Sequence, residues 1–259
     1  MHTCDVAVLG AGPGGYVAAI GSAQRGAKTV VVERKDLGGV CLNVGCIPTK
    51  TFIHTAELYR KLQPAEQFGL KVKGVELDMQ GLLAHKRKVV ATNTGGIAAL
   101  FKAHGIEMVR GEARLAGPGK IVAGDEEIAA KKIIIATGGR PAQLPGLEFD
   151  GKVVIGSTQA LEMDTIPKRV AVIGAGALGA EFACIWNAFG AQVTLIEMLP
   201  AVLPREDEEL TKRLAQIFKK NGMDVRTGSK VAKLERRKSG AKLTIEGDSP
   251  GEVEVDLAL

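Results

Sequence analysis

Two stretches of the chain carry the same order of apolar and polar positions. Asp5–Gly15 reads DVAVLGAGPGG, and Arg169–Gly179, displaced by 164 residues, reads RVAVIGAGALG. In each, an apolar run of strand length enters a glycine turn and continues into small residues suited to a helix. A run that is apolar at consecutive positions is what a strand buried on both faces requires, as in a parallel sheet. The displacement persists: Thr29–Glu33 (TVVVE) matches Val193–Glu197 (VTLIE), so a second apolar run closes on a glutamate 23 residues after the first glycine in both copies. The pattern predicts two β-α-β units.

Between the copies the periodicity is less regular. Residues 47–62 and 80–104 read as helices, the second carrying a Gly95-Gly96 pair able to bend or interrupt it. Residues 106–110, 112–115 and 120–122 read as short strands between turns, and 133–139 as a buried strand entering a glycine turn. Pro141, Pro145 and Gly146 mark a linker, which divides the chain into expected domains 1–148 and 149–259. Val253–Leu259 reads as the opening of a strand whose earlier counterpart is Lys132–Ile135, and the chain stops inside it.

The glycines carry the first candidate chemistry. The first of each set permits a tight turn, the second lets backbone amides approach a pyrophosphate, and the third lets helix and strand pack closely. The pyrophosphate then sits at the positive end of a helix, and the glutamate accepts hydrogen bonds from an adenosine ribose. One such fingerprint is a weak signal, because packing alone also produces it; two with matched glutamates point to two dinucleotide sites. Glu197 is followed by Met198 and Leu199, with no adjacent cation for a 2′-phosphate, so the second site is expected to take NAD rather than NADP. The first ends Glu33-Arg34-Lys35 and decides less.

Composition narrows the classes. The chain has 259 residues, 46% apolar, with 34 Lys+Arg against 29 Asp+Glu and 33 Gly, which excludes a disordered or fibrous protein. A formal charge of +5 over mixed-sign segments is too thin for nucleic acid, and the basic triplets at 86–88 and 236–238 read as solvated faces. The uncharged stretch 6–23 is long enough for a membrane span, yet its glycines and Pro13 fit strand, turn and helix better. Four cysteines make no disulfide scaffold, and the N-terminus lacks the basic flank of a secretory signal. A cytoplasmic protein without a membrane partner is expected.

The segment Gly38–Lys50, GGVCLNVGCIPTK, follows the first glutamate closely. Cys41 and Cys46 are five apart, a spacing that permits a disulfide if the turn at Gly45 is tight. Pro48 suits the first turn of a following helix, so Cys46 is expected near a helix N-terminus, where a negative sulfur is favoured. A redox-active pair follows. Buried bystanders and metal ligands are the alternatives; against a metal, His2, His54, His85 and His104 are dispersed. Cys4 reads as a terminal free thiol and Cys184 as a small core residue.

These motifs, with Ala136-Thr137-Gly138-Gly139-Arg140-Pro141, resemble the flavoprotein pyridine nucleotide-disulfide oxidoreductases over the whole chain. The resemblance implies an α/β fold of two Rossmann-like dinucleotide-binding domains, three-layer, each a parallel sheet with an antiparallel β-meander, and the C-terminal dimerisation domain absent. It places FAD at Gly10, Gly12, Pro13, Gly14, Gly15, Glu33 and Gly39, with further contacts at Ala113, Thr137 and Gly138. Lys50 would lie at the flavin and pair with Glu181. It places NAD at Gly174, Gly176, Ala177, Leu178, Gly179 and Glu197, with Val231 at the adenine edge. Cys46 would be the thiolate against the flavin and Cys41 the interchange thiol.

The implied reaction passes electrons from a dithiol such as dihydrolipoamide to NAD. The implied partners are the lipoyl domains of 2-oxoacid dehydrogenase or glycine-cleavage complexes, with a homodimer in the family. Val40 stands where the family usually has Thr, and Thr49 where Ser is common. Because the chain is short for the family, it is expected to be an incomplete, inactive portion. A non-catalytic dinucleotide-binding fragment and another NAD-dependent disulfide reductase are the alternatives.

Overall fold

Strand β1 (His2–Leu9) is buried along its second half because VAVL has no polar side to offer water. In the computed structural model, which describes all of residues 1–259, it is followed by α1 (Pro13–Gln24), β2 (Thr29–Glu33), α2 (Gly39–Val44), α3 (Cys46–Leu62), a 3-10 turn at Ala65–Phe68 and α4 (Met79–Ala103). Four strands complete the first part: β3 (Glu107–Arg110), β4 (Ala113–Gly117), β5 (Lys120–Ala123) and β6 (Glu126–Ile135). The second part holds α5 (Ser157–Ala160), β7 (Arg169–Ile173), α6 (Ala177–Ala188), β8 (Gln192–Ile196), α7 (Glu208–Lys220) and β9 (Asp224–Arg226). It ends in β10 (Ser229–Arg237), β11 (Gly240–Gly247), β12 (Gly251–Val255) and β13 (Leu257–Ala258).

The chain forms two compact units, residues 1–48 with 85–140 and residues 49–84 with 141–259. In the first, strands run in the order β3-β2-β1-β6-β5-β4, parallel across β3, β2, β1 and β6 and antiparallel through β4 and β5. Successive residues of β1 serve opposite layers. Ala7 and Leu9 meet Val30, Val32 and the meander residues Ile121 and Ile128, whereas Val8 meets Val31, Ala19 of α1 and Phe101 of α4. A parallel sheet covered on both faces is the reason its strands lack hydrophobic alternation.

The second unit repeats this plan with parallel order β13-β7-β8-β9 and a separate antiparallel meander β10-β11-β12. The register is the same: Val6 lies beside Thr29 in the first unit, Val170 beside Val193 in the second. Val170, Val172, Val193 and Leu195 face the helices, with Phe182, Trp186 and Phe218; Ala171, Ile196 and Ala258 face the meander through Ala241, Leu243 and Ile245.

Several local expectations meet a different outcome. Helix α4 runs unbroken through Gly95 and Gly96. Two glycines cost a helix about 1 kcal/mol each, and burial of Phe101 and Ile97 against β1 and β2 offsets that cost. Cys4 is a free thiol as expected, but it lies in the core on β1, 4% exposed, rather than at a loose terminus. Residues 49–84, on the near side of a boundary at 148, pack with the second unit, because Phe52, Leu82 and Leu83 join the core of Leu161, Phe182 and Leu195. No helix is long and apolar enough to cross a membrane.

The segment entering the second unit is tied down by one carboxylate. Asp150 Oδ1 accepts the N–H groups of Lys152, Val153 and Val154 at 2.8–2.9 Å, and Oδ2 accepts from Arg236 Nε at 2.8 Å. Burial pushes the Asp150 carboxyl up, but the Arg236 guanidinium and the three N–H groups outweigh it and hold it well below the usual carboxylate range. A carboxylate depressed in the folded state contributes stability that is present above its unfolded value, near 3.9, and lost as pH falls further. Asp150→Asn is therefore expected to lower stability by about 1–2 kcal/mol at pH 7. The gap in urea unfolding midpoint between wild type and variant should narrow progressively as pH falls below about 4; a constant gap throughout the acid range would contradict the assignment.

Candidate functional site

Both glycine turns are built the same way. Gly10 and Gly174 take φ of +101° and +102°, conformations that only glycine adopts at ease. Their N–H groups donate to Val32 and Ile196 across the sheet at 2.8 and 2.7 Å. At Gly15 and Gly179 a Cβ would lie 1.8 and 1.9 Å from the carbonyl oxygens of Gly10 and Gly174, so the helix rests directly on the turn. Gly12 and Gly176 differ. A Cβ would meet only Gly39 Cα at 3.7 Å in the first case and nothing within 4 Å in the second. Packing does not require these two glycines, and the space in front of them is left open.

Gly12 and Gly176 are also the N-caps of α1 and α6, and neither helix has a side-chain cap. First-turn N–H groups, led by Gly14 in α1, where Pro13 has none to offer, and by Ala177-Leu178 in α6, thus end at an open cradle of positive character. Beside the second turn lies a crevice of about 310 Å³, lined by Ile173, Gly174, Gly176, Ala177, Leu178 and Leu259 among others. A pyrophosphate fits this geometry, because its oxygens accept from backbone N–H groups where a side chain would block approach.

The two glutamates repeat as closely. Glu33 Oε2 accepts the N–H of Ala11 at 2.7 Å and Oε1 that of Lys35 at 2.8 Å. Glu197 takes Ala175 at 2.7 Å and Leu199 at 2.9 Å. Each carboxylate is 9% exposed. Each oxygen keeps a second lone pair for a ribose hydroxyl. The sequence pattern identifies the glutamates as ligand groups and misses that they are also staples between the turn and the strand end.

Ala113 and Val231 are counterparts in the two units. The N–H groups of Gly111 and Ser229, two residues before them, donate to the carbonyls of Glu33 and Glu197 at 3.0 and 2.9 Å. Thr137 lies at the first turn, its Cα 3.3 Å from where a Gly10 Cβ would stand, and Gly138 continues the bend with φ +68°. In the first unit the turn is also docked by the cysteine segment: the Gly38 N–H donates to the Ala11 carbonyl at 2.9 Å, and a Cβ on Gly39 would fall 2.6 Å from Gly12 Cα. The equivalent hydrogen bond of the second unit runs from Leu203 to Ala175 at 2.8 Å, and Leu203 is the one non-glycine residue with positive φ, +47°.

The stretch between the cysteines is a short helix, α2, rather than a simple turn. It ends at Gly45, where a Cβ would lie 3.1 Å from Cys41 Cα, so the chain folds back on Cys41 before Cys46 begins α3. Cys46 is exposed and Cys41 half-buried, and no disulfide joins them. Asn43 Nδ2 donates to the carbonyls of Leu37 and Gly39 at 3.0 and 2.8 Å. Lys50, one turn past Cys46 on α3, is ion-paired with Glu181 of α6, both within the second unit. The remaining thiols are set apart: burial pushes both Cys4 and Cys184 up, and Cys184 lines a cavity of about 340 Å³ behind α6.

Comparison with protein families matches residues 4–259 to the pyridine nucleotide-disulphide oxidoreductases. The chain is 46% identical over 263 residues to the dihydrolipoyl dehydrogenase of Thermus scotoductus, covering all of this chain and 57% of that protein. Among solved structures it is similar to LpdA from Mycobacterium tuberculosis, with a TM-score of 0.86 and 26% identity over 100% of this chain and 58% of that one. The HOCl-induced flavoprotein disulfide reductase RclA from Escherichia coli aligns with a TM-score of 0.81 and 25% identity, over 98% and 55%. The chain spans a little over half the length of these proteins.

The cradle geometry separates two substitutions that look alike on paper. Gly176→Ala is expected to leave the unfolding free energy within about 0.5 kcal/mol of wild type, while any pyrophosphate-bearing ligand held at this cradle is expected to bind at least ~10-fold more weakly because the methyl fills it. Gly179→Ala is expected to destabilise by on the order of 3 kcal/mol or more, because its Cβ overlaps a carbonyl oxygen. Urea unfolding and fluorescence titration with NADH check both; equal effects on folding would contradict the separation.

Proposed function

The chain belongs to the pyridine nucleotide-disulphide oxidoreductase family, and on that premise we propose that it carries the FAD site, the NAD site and the redox cysteines of a dihydrolipoamide:NAD oxidoreductase. The observation that carries the reading is an asymmetry between two otherwise equal cradles. Only the first has a cysteine helix docked on its glycine turn, through Gly38 and Gly39. In this reading the first unit holds FAD through Gly10, Gly12, Gly14, Gly15 and Glu33, with Ala113, Thr137 and Gly138 around it. The second holds NAD through Gly174, Gly176, Gly179 and Glu197, with Val231 at the adenine. When bound, FAD supplies two-electron exchange with a thiolate and NAD accepts a hydride.

The chain's own part is the sulfur chemistry. With Cys41 and Cys46 joined as a disulfide, a substrate thiolate attacks Cys41 Sγ, the S–S bond breaks, and Cys46 leaves as a thiolate at the start of α3, where first-turn N–H groups favour negative charge. The second substrate thiol then attacks its own sulfur in the mixed disulfide, and Cys41 leaves carrying the proton that thiol gives up. The substrate ends as a disulfide and the protein with Cys41 as a thiol and Cys46 as a thiolate. Lys50, held by Glu181, keeps a positive charge one turn along the helix from Cys46. Met198 and Leu199 after Glu197 offer no cation to a 2′-phosphate, which supports NAD. The dihydrolipoyl dehydrogenase relatives support lipoyl domains of 2-oxoacid dehydrogenase or glycine-cleavage complexes as dithiol partners.

Anaerobic titration with dihydrolipoamide, read by differential alkylation and mass mapping, tests the reading. Cys41→Ser is expected to abolish exchange while leaving flavin content unchanged, and flavin loss as severe as that of Gly12→Val would overturn the division of roles. Glu197→Ala is expected to weaken NADH by about 10-fold through loss of a charged hydrogen-bond acceptor, with flavin content intact; equal losses of both would undo the site assignment.

A further inference from the structure

The six-residue helix between the cysteines is too short to hold itself together, since isolated helices of this length do not persist in water. Its N-cap, Gly38, offers no side-chain cap. Contacts at its beginning include the Gly38 N–H on the Ala11 carbonyl, the Gly39 N–H on the Asp36 carbonyl and Gly39 against Gly12. Asn43 acts farther along the helix. It lies two residues after Cys41 and three before Cys46, and both its amide hydrogens are engaged, one on the Gly39 carbonyl within the helix and one on the Leu37 carbonyl outside it. Asparagine is a poor helix former, so these two bonds are what its side chain contributes.

We propose that Asn43 is a positioning residue for the Cys41–Cys46 pair: by tying α2 to the segment that enters it, its carboxamide fixes the approach of the two sulfurs and so sets the stability of their disulfide. The inference rests on the redox reading of the pair given above. A disulfide forms from two thiols in proportion to how often the fold brings them together. Removing the tie lets α2 fray, lowers that frequency, and makes the disulfide easier to reduce.

Equilibration of the protein with glutathione and glutathione disulfide measures this directly. One S–S bond forms between Cys41 and Cys46 as one breaks in the oxidised glutathione, and the two thiol protons end on two glutathione thiols. Trapping by acid and alkylation, with mass mapping, gives the equilibrium constant for this pair apart from Cys4 and Cys184. Asn43→Ala is expected to lower the constant about tenfold, equivalent to about 30 mV for a two-electron couple. Asn43→Asp, of equal size but an acceptor when ionised, faces two carbonyls and is expected to lower it further. Asn43→His, which retains one donor, should fall between Asn43→Ala and wild type.

Circular dichroism and urea unfolding of the reduced proteins, with NADH binding to the second unit, show that each variant is folded. If wild type forms the Cys41–Cys46 disulfide and the variants keep its constant within twofold, the role of Asn43 is overturned and the redox pair stands. The same holds if the variants lose only unfolding stability. If wild type forms no such disulfide, the redox reading itself fails, and the inference falls with it.

Discussion

A carboxylate at the end of one strand that accepts the N–H of the turn ending its neighbour is the contact on which both units are organised. Glu33 and Glu197 close β2 and β8 and draw in the turns at Ala11 and Ala175. Hydrogen bonds to a charged group contribute about 1.5–3 kcal/mol each, and here they act where the backbone has just left the sheet and has no ladder partner. The third glycine completes the device by letting the helix sit on the turn's carbonyl. With turn, strand end and helix fixed together, the open sides of Gly12 and Gly176 face a constant geometry, which is what a ligand held by backbone amides requires.

The two units show what this scaffold leaves free. Register, turn dihedrals and glutamate bonds repeat, while the chain between the glutamate and the third parallel strand does not. After Glu33 that interval holds α2, α3 and α4, of which residues 49–84 pack with the second unit; after Glu197 it holds only α7. The cysteines lie in the longer interval. Chemistry therefore sits in the variable connection and nucleotide geometry in the repeated frame, in keeping with the general division between rigid elements and functional loops.

Much of the parallel frame was legible in the sequence because burial on both faces leaves a simple trace: DVAVLG, TVVVE, RVAVIG and VTLIE are unbroken apolar runs with fixed punctuation. Cys46 at a helix start was legible from Pro48, and the Lys50–Glu181 pair from family resemblance. Less legible were elements whose stability is not local. The strands β10 to β12 are rich in lysine, arginine and glutamate, and they form because their charges pair across the ladder, as in Lys242–Glu252 and Arg237–Glu254, over an inner face of Leu243 and Ile245. Helix α2 is hidden for a related reason, since glycines open it and a side-chain tie sustains it. The packing of residues 49–84 with the second unit depends on Phe52, Leu82 and Leu83 finding a core far along the chain, which no window reveals.

Leu203 makes the difference between the cradles permanent. It stands where the first unit has Gly38 and holds the left-handed conformation at a cost of roughly 1–2 kcal/mol, with its side chain packed against the core of the second unit. A backbone hairpin bearing reactive sulfur could settle on the first turn because glycine presents nothing there. On the second, the segment that docks is the one bearing Leu203, and it carries no cysteine. Duplication of the frame thus leaves each turn with its own docked segment, and exchanging their roles would require more than moving two cysteines.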